Sequence, residues 1–106
     1  MEKSQKENKK TVSHKIYLLS AAINDITQAV HYYNTQKEHL GESFLDELEK
    51  LFDILLAFPE IFPIKRKNYR EAVMKKFPYV VVYTVEENKI LIYAVFHTHR
   101  APDEKP

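Results

Sequence analysis

Two apolar runs near the end of the chain, VVVYTV (80–85) and ILIYAVF (90–96), constrain the fold most. Both are rich in β-branched and aromatic residues, and a short polar stretch at 86–88 separates them. That pattern predicts two strands joined as a β-hairpin. Neither run alternates cleanly with polar residues. Both therefore read as central strands, with one face under helices and the other partly covered. A hairpin of this kind needs neighbours, and the rest of the 106-residue chain must supply them.

Upstream, IKRKNYREAVMKKF (64–77) reads as one or two further strands with a turn near residues 67 and 68. Ala72 and Met74 are expected to face one way, Val73 and Lys75 the other. Pro78 breaks the run. Before it, LGESFLDELEKLFDILLAF (40–58) has a helical stripe of Phe44, Leu48, Leu51 and Leu55, flanked by Leu45, Phe52 and Leu56. Pro59 and Pro63 end that helix, and Gly41, the single glycine, stands before it. An earlier helix is marked by Ser20 as an N-cap and by Ile23, Ile26, Val30 and Tyr33 on one face, ending near Thr35. The short link between the two implies an antiparallel helical hairpin. KIYLL (15–19) reads as an N-terminal strand. The expectation is an α+β fold: a small antiparallel sheet with an N-terminal strand, and a two-helix hairpin packed on one face.

The length fits one domain, assigned to residues 15–106. Residues 1–14 are lysine-rich with little to bury, and read as a flexible basic tail. The absence of cysteine excludes a disulfide framework and a thiolate zinc site, and suits a reducing cytoplasm. No apolar run approaches the roughly 20 residues needed to span a bilayer, and no secretory h-region opens the chain. A net charge of +1 hides a separation: residues 36–60 carry two Lys against seven Asp or Glu, and residues 61–85 carry six Lys or Arg against one Glu. Faces of opposite sign suggest different partners.

The ordered motifs resemble a family. A-x-x-D-I stands at residues 22–26, then Tyr32 and Tyr33, then L-G-x-x-F at 40–44. Pro59 follows the second helix, and Arg70 precedes F-P-Y at 77–79. Tyr83 comes next, and H-x-x-R-x-P closes the set with His97, Arg100 and Pro102. In this order they resemble the RelE/ParE superfamily of toxins from bacterial type II toxin–antitoxin pairs, and most of all its ParE-like, plasmid-stabilisation branch. The resemblance implies a cytoplasmic toxin that arrests growth, held in a hetero-oligomer by a cognate antitoxin, with no cofactor and no membrane. It leaves two activities open: inhibition of DNA gyrase or a similar target, and RelE-type cleavage of mRNA on the ribosome. An inactive relative that only binds a partner protein is the third reading.

For RNA cleavage the chain would need a base, an acid and cations for the phosphorane. The positions that match are Arg70, His97 and Arg100, with His99 as alternate. Lys65, Lys67, Lys75 and Lys76 would bind the substrate backbone. Each has a structural alternative: His97 bonding a carbonyl at a strand end, His99 simply exposed, Arg70 and Arg100 in salt bridges. The tail APDEKP after Arg100 has no tyrosine, unlike several nuclease members, which favours a binding toxin. No spacing supports a metal site. The seven tyrosines read mainly as packing residues. Antitoxin contacts are expected in a groove between helices and sheet, along a strand edge, and on the basic strands.

Overall fold

The computed structural model describes residues 13–99. The expected basic tail lies outside that range except for Ser13 and His14, as do Arg100 and Pro102. Strand β1 (Lys15–Leu18) leads into helices α1 (Ser20–Gln36) and α2 (Leu40–Ala57). Four strands follow: β2 (Ile64–Arg66), β3 (Tyr69–Val73), β4 (Tyr79–Glu86) and β5 (Lys89–His97). The sheet order is β1-β5-β4-β3-β2. Strands β2 to β5 form an antiparallel meander. Strand β1 adds to it in parallel beside β5, so the sheet is mixed. Parallel neighbours need a crossover, and the helix pair lies within the connection that supplies it.

The helical hairpin covers one face. The stripe Phe44, Leu48, Leu51 and Leu55 is buried there against Ala72, Met74, Val81, Tyr83, Ile90 and Ile92. On α1 the buried residues are Ala22 and Ala29, with Ile26, Val30 and Tyr33 partly buried around them. Ile23, expected on the core face, is instead 50% exposed. Small alanines occupy the innermost positions of α1, and Ile23 is rotated about 100° from Ala22. Ser20 also departs from expectation. The cap position falls on Leu19, in extended conformation, and no side chain caps the helix. Leu19 donates its N–H to Ile92 O (3.0 Å), which carries the β1 pairing right up to the helix start.

Two of the sequence motifs now have physical reasons. Gly41 is buried in the first turn of α2, where a Cβ would meet Val30 O at 2.7 Å. Its N–H donates to Asn34 Oδ1 (2.8 Å), which ties α2 to α1. Asp25, in the earlier motif, reaches the sheet: its Oδ2 accepts from Val95 N–H at 2.9 Å. Past Leu18 no β1 residue remains to pair this edge of β5, so a helix carboxylate takes the donor. Asp25→Ala leaves that N–H without its acceptor. The expected loss is about 1–2 kcal/mol of stability, read by urea unfolding with an unchanged m value. Asp25→Asn, which keeps an oxygen there, should recover most of it.

A bulge sets the far end of the sheet. Val82 pairs with Ala94 but Tyr83 pairs with Ile92, so Tyr93 is extra on β5. The phase of β5 shifts by one residue there. Val95 and His97 therefore join Ile90 and Ile92 on the helix-covered face.

Candidate functional site

Arg70 and Tyr83 are cross-strand partners on β3 and β4. Both point to the helix-covered face, and both are used on one loop. Arg70 Nη1 donates to Phe62 O (2.7 Å) and Glu60 O (3.3 Å). The buried Tyr83 hydroxyl donates to Pro59 O (2.8 Å). Pro59 and Pro63 make this segment end α2 and turn toward the edge strand, and its carbonyls lack a helix or strand to pair them. The two sheet residues supply those donors.

Burial pushes the Tyr83 phenol above its usual 10.0, with the nearby Arg70 charge opposing that rise. The neutral phenol is thus favoured in the fold. Its contribution is complete below the ordinary phenol value and is lost as pH climbs through the higher native one. We expect stability to fall above about pH 10. Tyr83→Phe should reduce that alkaline loss and cost about 1 kcal/mol at neutral pH, both read from thermal unfolding across pH.

His97 ends β5 on the same face, further along the sheet. Its ring packs edge-on to the buried Tyr79 ring at 5.2 Å, and the His99 ring lies 5.8 Å away. His99 N–H donates to His97 Nδ1 (3.0 Å), so in the neutral ring the proton sits on Nε2. Tyr79 continues into a cluster with Tyr33, Phe44 and Phe77, with centroids 4.9–6.1 Å apart. The F-P-Y motif supplies Phe77 and Tyr79 to this cluster, and L-G-x-x-F supplies Phe44.

The structure separates the residues that a nuclease would bring together. Tyr83 and Tyr79, the β4 partners of Arg70 and His97, are four residues apart. That is about 13 Å along the strand, and β3 and β5 lie a further two strand spacings apart, about 9.5 Å. The Arg70 guanidinium is committed to carbonyls of the loop. The lysines are divided as well. Lys65 and Lys67 are exposed at the β2–β3 hairpin, beside Arg66, whose guanidinium lies over the Tyr69 ring at 5.5 Å. Lys75 and Lys76 follow the opposite end of β3, and Lys76 Nζ lies 3.6 Å from Glu47, which Lys50 also approaches at 3.3 Å. Arg100 lies outside the described residues. His97 and His99 are brought together; Arg70 is not brought to them.

One feature had no sequence signal. A cleft of about 520 Å³ opens where α2 ends, lined in part by His14, Phe58, Pro59, Ile61, Val85 and Glu87. Residues from three separated segments form it. The clasp on its loop was not legible either, although Tyr83 and Arg70 both stood in the motif set.

A model of the ParE toxin of type II toxin–antitoxin systems, parDE, matches residues 16–102. The chain belongs to the ParE toxin family. It is the toxin component of such a pair, and the family implies an antitoxin partner. The match runs from β1 through the end of β5 and includes every motif residue from Ala22 to Pro102. Among solved structures, a chain of the chromosomal ParDE system from P. aeruginosa is similar in fold. Its TM-score is 0.74, over 84% of this chain and 100% of that one, at 11% identity. No curated protein matches. Among the described residues of this ParE-family toxin, no helix is long and apolar enough to cross a membrane.

Proposed function

We propose that this ParE-family toxin arrests growth by binding its target, with DNA gyrase or a similar enzyme as the target class, and that a cognate antitoxin neutralises it. The observation that carries this reading is the position of Arg70. A cation meant for a scissile phosphate must sit within reach of the acid and base. Here it holds the loop after α2, far along the sheet from His97. In this reading His97, His99 and the exposed lysines contact the target or the antitoxin, and none need transfer a proton.

The test is macromolecular synthesis in a bacterium induced to make the chain alone, followed by labelled thymidine and labelled amino acids. Thymidine incorporation should fail first, with translation spared in the first minutes. Early failure of translation would overturn the binding reading and make the His97–His99 end a nuclease site. No effect on either would favour an inactive relative.

A further inference from the structure

We propose that the cleft where α2 ends receives a segment of the toxin's target that carries a lysine or arginine beside an apolar side chain. The proposal rests on the reading of this chain as a binding toxin. By helical spacing, Phe58 would continue the buried stripe that ends at Leu55. Instead the chain leaves the helix there, at φ −138° and ψ 74°. Phe58 is 62% exposed, and Ile61, three residues on, is 55% exposed. Both line the cleft, with Pro59 and Val85. A volume of about 520 Å³ is the size of a pocket for side chains, not of a bed for a whole helix. The clasp on the loop now has a use. Tyr83 bonds the Pro59 carbonyl, and Arg70 bonds those of Glu60 and Phe62. One wall of the cleft is therefore fixed in advance, so binding need not order it.

Charge selects the occupant. Glu60 and Glu87 line the same cleft, and both are exposed. Among the described residues no Lys, Arg or His forms an ion pair with either. Arg70 reaches the Glu60 backbone carbonyl, not its carboxylate. Glu87 also sits in the left-handed region, at φ 58°, where a side chain strains the backbone and Gly or Asn is favoured. The chain keeps a carboxylate at that point of the β4–β5 turn despite the strain. Two carboxylates on an apolar cleft repel nucleic acid. A second copy of this chain, related by a two-fold axis through the cleft, would bring four carboxylates together. A cation on an apolar segment of another protein suits both parts of the surface. Its charged head meets the carboxylates, while its stem and an apolar neighbour cover Phe58 and Ile61.

The test uses the full chain induced in a bacterium, with thymidine incorporation followed as the amount of toxin is raised. Affinity for the antitoxin encoded beside it is measured in parallel. Phe58→Ser and Glu60→Gln/Glu87→Gln should each raise the amount of toxin needed to halt incorporation about tenfold or more, at unchanged melting temperature and antitoxin affinity. Glu38→Gln/Glu42→Gln, which removes the same charge near the α1–α2 turn, should act as wild type. Glu87→Gly relaxes the strained backbone, so it should melt at or above the wild-type temperature and still lose potency. A purely structural Glu87 would not show that split. If wild type halts incorporation and the cleft variants do so as well, the cleft assignment is overturned while the binding-toxin reading stands. If only Phe58→Ser loses potency, the occupant brings no cation and the proposal is overturned. If the cleft variants lose antitoxin affinity instead, the antitoxin fills the cleft and the proposal is overturned. If wild type leaves incorporation untouched, both fall.

Discussion

Arg70→Ala is expected to lower stability by about 3 kcal/mol, because one charged side chain satisfies two loop carbonyls. For a domain of this size that is a fall in Tm of about 15 °C, measurable by circular dichroism. It is a large share of the roughly 5–15 kcal/mol that holds a small domain together. Arg70→Lys should recover only part of the loss, since an ammonium lacks the planar fork. The same experiment separates two roles for this residue. If Arg70 positions the loop, loss of toxicity in the variant tracks loss of folded protein and is relieved at low temperature. A variant that keeps the wild-type Tm but is not toxic would return Arg70 to the role of a phosphate ligand.

Gly41→Ala gives the second large effect, and its sign is decided by competition. In an open helix the change would favour folding by about 1 kcal/mol, since alanine is the better helix former. Here the new Cβ would stand 2.7 Å from Val30 O and 2.8 Å from the Asn34 amide. The Asn34 side chain can swing away, though only by giving up its bond to Gly41 N–H. The Val30 carbonyl belongs to the backbone of α1 and moves only if the helices separate. Overpacking of this kind costs about 1–3 kcal/mol, so we expect a net loss of about 2 kcal/mol and a Tm lower by about 10 °C. A raised Tm would mean that α1 and α2 do not meet at Gly41.

Most of the fold was legible because its signals are local. The stripe of Phe44, Leu48, Leu51 and Leu55 needs only helical spacing. The turn at residues 67 and 68 lies between β2 and β3 as expected, with Lys67 in the left-handed region at φ 52°. Ala72 and Met74 are buried and Val73 is exposed, as two-residue alternation requires. The motifs were recognisable as an ordered set, and the family match follows that set. Their reasons were not recognisable. Asp25 is only one position of the A-x-x-D-I motif in the sequence, and its acceptor role depends on β1 ending at Leu18.

The sequence by itself determined which segments are helix and strand, which face of α2 is apolar, and which family the chain joins. Periodicity, turn residues and motif order are all properties of neighbouring positions. The tertiary structure alone decided where the polar groups point. The extra residue at Tyr93 shifts the phase of β5 and turns His97 toward the helices, and a continuous apolar run hides such a shift. Arg70 sits in a basic stretch that reads as phosphate-binding, but unpaired carbonyls of the loop ending α2 lie closer to it than any partner from β5. The Phe62 carbonyl is part-buried, where an acceptor without a donor is costly, so the guanidinium goes there and also reaches the exposed Glu60 carbonyl.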